Sequence, residues 1–175
     1  MELVGRMMDG SISYADRGLE PVPSSLSISQ DDKIERLENV PLFHACSQRQ
    51  LRAVARIAGV FDAPAGTVLI RTGEAGEEFF LIVEGTAQVH VSAKKRIRLR
   101  PGDFFGEMSL IDGGPRSATV VAETPLRLLV IHRRHFETLL DKVPGITQAL
   151  LVTLCGRVRH AERGLDMSRR MTTRH

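Results

Sequence analysis

The sequence has no tryptophan, one tyrosine (Tyr14) and two cysteines, Cys46 and Cys155. Aromatic residues make up 5% of the chain, so platforms for stacking nucleic-acid bases are few. The cysteines fit neither a C-x-x-C pair nor zinc-ligand spacing. Both fall in apolar helical patterns and read as small core or near-core residues of a reducing compartment. No apolar run approaches the ~20 residues of a membrane-spanning helix. The N-terminus lacks the basic-then-apolar order of a secretory signal. Membrane-spanning and exported readings are set aside, and the expected location is cytoplasmic. A charge excess is also missing overall: 24 basic against 21 acidic residues leave a net charge of +3, too little by itself to imply nucleic acid. The excess that exists is local, with six arginines and two acidic residues from Arg157 onward. That end reads as a solvated tail, with contact to nucleic acid or acidic lipid as the minor alternative.

What is present is enough hydrophobic sequence, 42% of 175 residues, for a single core with tails. Residues 1–29 mix Gly, Ser and Pro with isolated apolar residues and show no period, which predicts a disordered leader. A short helix from Asp31, with Ile34, Leu37 and Val40 on one face, should stop before Pro41. Ser47 and Gln50 have capping-box spacing for a second helix striped by Leu51, Val54, Ile57 and Ala58, with Gly59 as a left-handed stop. From Val60 to His132 the period becomes that of strands, with runs such as "QVHVS" and "RIRLR" alternating apolar and polar residues between glycines and prolines. About eight strands at this spacing indicate an antiparallel, jelly-roll-like β-roll. Helical spacing returns with Phe136, Leu139 and Leu140. Beyond Pro144, Ile146, Leu150, Leu154, Val158 and Ala161 form a stripe that reads as ordinary packing. The expected fold class is α+β: a roll flanked by N- and C-terminal helices over residues 30–165, followed by a basic flexible tail at 166–175.

Strand periodicity breaks at residues 101–120, "PGDFFGEMSLIDGGPRSATV". A compact insertion in an otherwise economical barrel points to a binding loop. Gly106 permits a backbone turn closed to other residues. Glu107 to Ile111 can form a helical turn, ended by Asp112-Gly113-Gly114. The free N–H groups of such a turn favour an anion, and Arg116 offers a two-pronged donor for phosphate oxygens. Ser117 adds a hydroxyl. Glu107 would repel phosphate but suits a sugar hydroxyl, so the pair specifies a nucleotide rather than free phosphate.

Phe105-Gly106-Glu107-Met108-Ser109-Leu110, followed by Pro115-Arg116-Ser117-Ala118-Thr119-Val120, resembles the phosphate-binding cassette of the cyclic nucleotide-binding domain family. The step from Glu107 to Arg116 is that of the kinase-regulatory form. "GEAGEEFFLIVEGTAQV" at 73–89 and "VPLF" at 40–43 extend the likeness over residues 34–160. The resemblance implies that Glu107, with the Gly106 backbone, accepts from the ribose 2′-OH. It implies that Arg116 pairs with the cyclic phosphate, helped by Ser117 and the N–H groups of Ser117 and Ala118. Val89 and Val91 would line the pocket beside ribose and base, and Phe105, Met108 and Ser109 complete the ligand-binding set. The C-terminal stripe becomes a candidate lid over the base, although no aromatic follows there to stack on it.

The implied protein is a non-enzymatic receptor for cAMP, with cGMP as the alternative ligand. It needs no resident cofactor and signals to a protein partner or through a homodimer formed by the C-terminal helix. Each site residue has a plainer reading: Arg116 as a solvated turn residue, Glu107 as a helix-start charge, Ser117 as a strand start. His90, His132 and His135 lack the spacing of a barrel metal site, and no nucleophile–base pair supports an enzyme. A gene-regulator reading meets the ten residues after Leu165, too few for a helix-turn-helix, so direct DNA binding is not expected unless the chain is a fragment. A degenerate scaffold that keeps the fold without the ligand is the other alternative.

Overall fold

The seven-residue run Glu78–Glu84 shows how the chain is organised, because both of its faces are buried. In the computed structural model, which describes residues 18–22 and 27–172 with side chains through 164, this strand (β4) separates two cores. Successive strand residues point to opposite faces. Phe79, Leu81 and Val83 therefore join a core shared with the helices, while Phe80 and Ile82 join the interior of the roll. Its neighbour β9 (Leu126–His132) does the same, with Leu129 and Ile131 towards the helices and Leu128 and Val130 inward. The two-residue strand β7 (Phe104–Phe105) continues the rule: Phe104 faces Phe79 at 5.4 Å, and Phe105 stacks on Phe80 at 4.9 Å.

The strands form two antiparallel sheets. One has five strands in the order β1-β2-β9-β4-β7, where β1 is Glu20–Pro21 and β2 is Gly59–Ala63. The other has four in the order β3-β8-β5-β6: Val68–Ile70, Thr119–Ala122, Ala87–His90 and Arg96–Leu99. Among the described residues, eight of the nine strands fall in the interval where the sequence predicts about eight. The exception is β1, in the expected leader: Leu19 is fully buried in the roll core and Glu20 and Pro21 pair with Asp62 and Phe61. The leader assignment fails at these residues because a single anchored leucine needs no periodicity. Residues 1–17 and 23–26 lie outside the described set.

Helix α1 (Gln30–Glu38) is capped by the Ser29 side chain and buries Ile34 and Leu37. Pro41 opens a 3-10 turn, Pro41–Phe43, that buries Leu42 and Phe43. Helix α2 (Gln48–Ile57) starts with the predicted reciprocal Ser47–Gln50 capping box. It does not end on a left-handed Gly59. Ala58 turns extended after its N–H closes the last turn on Val54, and Gly59 opens β2 directly. Helix α4 (Arg133–Lys142) follows β9 and stacks Phe136 on Phe79 at 5.0 Å.

Helix α5 (Pro144–Thr172) departs from expectation in two ways. It runs through most of the supposed flexible tail, since nothing between Leu165 and Thr172 is a Gly or Pro that would end it. Residues 173–175 lie outside the described set. Its apolar stripe packs only at the start: Ile146 and Leu150 are buried and Leu154 is half-buried, whereas Val158 is 57% exposed. Cys155 is likewise exposed rather than near the core, whereas Cys46 is half-buried against the helical core. Among the described residues, no helix is long and apolar enough to cross a membrane.

Candidate functional site

Between β7 and β8 the chain passes from one sheet to the other through a six-residue helix, α3 (Glu107–Asp112). Left-handed glycines set both ends, Gly106 at φ +88° and Gly113 at φ +69°. Gly106 is required twice over, by its φ and because a Cβ there would lie 2.7 Å from the Glu78 carbonyl and 2.9 Å from Arg116 Nη1. Gly113 donates its N–H to the Ser109 carbonyl, and Gly114 donates to Asp112 Oδ1 at 2.8 Å. The returning segment is fixed by a backbone exchange with residues 73–74: Arg116 N–H to Glu74 O and Gly73 N–H to Arg116 O, each 2.8 Å.

This frame brings Gly106, Glu107 and Arg116 together, as the sequence pattern implies. Arg116 is not a solvated turn residue. It is 2% exposed, and its guanidinium donates through Nη1 to the Gly106 carbonyl at 2.7 Å. Through Nη2 it donates to the Glu78 carbonyl at 2.9 Å and the Glu78 carboxylate at 3.3 Å. Glu78, itself buried at the start of β4, falls in the 73–89 stretch of the likeness but is not singled out there as a site residue. Glu107 is also 2% exposed, and its carboxylate accepts from Arg157 of α5. Burial pushes the Glu107 carboxyl above its usual range, and the positive charges of Arg157 and Arg116 pull it back only in part.

Arg157 is the second residue the sequence reading misses. It donates to the Phe104 carbonyl at 2.8 Å, and its guanidinium carbon lies 4.9 Å from the centre of the Phe104 ring. A signal was available: Arg157 follows Ile146 by eleven positions, close to three helical turns, so it stands on the apolar stripe where a charge needs a partner. The long helix is thus pinned across the candidate site by an arginine rather than by an aromatic.

The remaining expected ligand residues separate into two groups. Met108 is 46% exposed, and Ser117, also exposed, donates its hydroxyl to the Met108 sulfur at 3.4 Å; Ala118 is half-buried beside them. Phe105 and Ser109 are buried, Phe105 against Phe80 and Ser109 within α3. Val89 packs against the roll core, but Val91 lies past the end of β5, 50% exposed in the hairpin to β6. A separate groove of about 510 Å³ between α2 and α4, walled by Arg49, His135 and Lys142, contains none of these residues. Among the described residues, no group of three or more His, Cys, Asp or Glu is placed to hold a metal ion.

Comparison with known proteins agrees with this geometry. Residues 60–143 match the family described as cyclic nucleotide-binding domain. A cyclic nucleotide-gated potassium channel of Mesorhizobium japonicum is 42% identical, over 62% of this chain and 30% of that protein. A cAMP-dependent protein kinase regulatory subunit of Aspergillus fumigatus is 35% identical, over 63% of this chain and 27% of that one. The chain therefore spans under a third of the length of either relative. The crystal structure of the Thermus thermophilus catabolite activator protein superposes with a TM-score of 0.65 at 29% identity, covering 73% of this chain and 62% of that one. The cassette between left-handed glycines, with Glu107 and Arg116, falls within residues 60–143, the segment that matches the cyclic nucleotide-binding domain family.

Proposed function

We propose that this chain is a non-enzymatic cyclic-nucleotide receptor, with cAMP as the ligand and cGMP as the alternative. Glu107 takes the ribose 2′-OH and Arg116 the cyclic phosphate. One observation carries the reading: the Arg116 guanidinium and the backbone leading into Glu107 are joined by a 2.7 Å hydrogen bond, at a helix held between left-handed glycines. A ligand that engages Glu107 must share or replace the Arg157 contact, so occupancy and the position of α5 are linked. Linkage of this kind shifts a conformational equilibrium in proportion to the difference in affinity between its states.

The output in this reading is a protein partner or a second copy of the chain, met through the outer half of α5. Leu151, Leu154, Val158 and Ala161 repeat at the three-and-four spacing of a helix–helix seam, and Leu151 and Val158 are more than half exposed. Light scattering with and without cAMP, on wild type and Val158→Glu, tests the homodimer: a monomer throughout removes it. The ligand itself is tested by calorimetric titration of cAMP and cGMP into wild type and Arg116→Ala. Loss of the guanidinium leaves a phosphate charge without compensation, worth several kcal/mol by analogy with truncated charge pairs. Equal affinities would overturn the assignment. The scaffold alternative draws on the internal pairing of both site residues, Glu107 with Arg157 and Arg116 with Glu78. A nucleotide thermal-shift screen without any stabilisation would favour it.

A further inference from the structure

Helix α4 begins against the usual chemistry of helix starts. Its first turn holds no acidic residue, the side chain of its N-cap residue His132 makes no capping bond, and Arg133 occupies the first position. A cation there is opposed by the helix dipole, so its retained contacts must offset that cost. The Arg133 N–H donates to the Glu77 carbonyl at 2.7 Å, and Nε donates to the Glu77 carboxylate at 3.0 Å. Nη2 reaches two further carbonyls, Gly76 at 2.6 Å and Ser109 at 3.2 Å. The Ser109 carbonyl is the same one that receives the closing N–H of α3 from Gly113.

One of these acceptors lies beside Arg116, the candidate phosphate anchor. Gly76 is wedged between Arg116 and α3: a Cβ on it would lie 2.6 Å from the Arg116 guanidinium carbon and 2.7 Å from the Ser109 Cβ. Its neighbours divide the two arginines between them, Glu77 holding Arg133 and Glu78 holding Arg116. One side chain therefore touches α3, the segment entering β4 and the start of α4, the helix that leads into α5.

We propose that Arg133 is a positioning residue that ties α3 to α4, so that any displacement of α3 on ligand entry is passed to α4 and on to α5. The proposal rests on the receptor reading above. It does not require Arg133 to touch the ligand. Three carbonyl and carboxylate acceptors in a fork suit a guanidinium, whereas an ammonium reaches only some of them.

The test uses the full chain with spin labels at Cys155 on α5 and at Lys94→Cys on the roll, in a Cys46→Ala background, with distances measured with and without cAMP. Wild type should show a cAMP-dependent distance change. Arg133→Gln should bind cAMP with affinity altered by the lost coupling, about 5- to 150-fold, yet show no distance change at saturation. Arg133→Lys should restore part of it. Glu77→Gln, which leaves the two carbonyl contacts intact, should give a reduced change and serves if Arg133→Gln does not fold. A full distance change in either Arg133→Gln or Glu77→Gln at saturation overturns the tie while leaving the receptor reading standing. A wild type that binds neither cAMP nor cGMP removes the receptor reading and the tie with it.

Discussion

Consider the energetic link between Glu107 and Arg157. The pair joins a carboxylate that is 2% exposed to a guanidinium that is 41% exposed. Two opposite charges at about 4 Å with an effective dielectric near 20 attract by roughly 4 kcal/mol. Ordering a long side chain and partial solvent screening at the exposed guanidinium take back a large share, leaving about 1–2 kcal/mol. A double-mutant cycle of Glu107→Gln, Arg157→Gln and the double variant, followed by urea unfolding without ligand, reads this coupling directly. Arg157→Gln alone should lower the thermal midpoint by about 2–8 °C, given ~2–4 °C per kcal/mol for a domain of this size. Titration adds a second reading. Because burial raises the Glu107 pKa above its ordinary value, this group's contribution to stability is present below that value and lost as pH rises through the folded one. Removing Arg157 takes away a positive charge that pulls this pKa down, so the Glu107 carboxyl resonance should titrate at still higher pH. A coupling energy indistinguishable from zero, or a titration unmoved by Arg157→Gln, would refute the reasoning.

Other consequences are independent of the ligand. Glu123 accepts from Arg98 Nε and Nη2 at 2.7 Å each, and that hydrogen-bonded pair, with help from Thr86 and Gln88, holds its carboxyl down at about 2 from an ordinary 4.5. Its stabilising effect is complete above 4.5 and fades as pH falls towards 2; acid unfolding of Glu123→Gln should lack that slope. Lys33 donates to the Ala55 and Ala58 carbonyls at the end of α2, at 3.2 and 2.9 Å. Lys33→Met should cost about 1–3 kcal/mol in urea unfolding by leaving those acceptors unmet. Phe79, with no exposed surface and rings on two sides, should cost about 3–5 kcal/mol when cut to alanine.

How much of this was legible in sequence depended on whether a signal was local. The Ser47–Gln50 box and the Phe105–Val120 motif are short-range patterns, and both appear where the residues placed them. The roll was readable because β4 and β9 are bounded apolar runs, although the division of Phe79 and Phe80 between two cores follows from strand geometry only once a helical layer exists. Leu19 and its two-residue strand were not readable, because nothing so short has a period. The internal partners of the site, Glu78 and Arg157, come from 38 and 50 positions away, and only tertiary packing selects them. The outer half of α5 shows the reverse error: its stripe continues past Leu154, yet among the described residues Val158 stays more than half exposed.

The double-sided burial of β4 and β9 also dictates where the chain can be trimmed. Stripping the helices from the roll would lay bare a sheet of phenylalanine, leucine and isoleucine, so no soluble barrel fragment is to be had. The arm beyond Leu154 is another matter, since none of its described side chains, through residue 164, belongs to either core. A chain shortened there should keep its architecture while losing Arg157, giving a version in which no arginine of α5 holds Glu107.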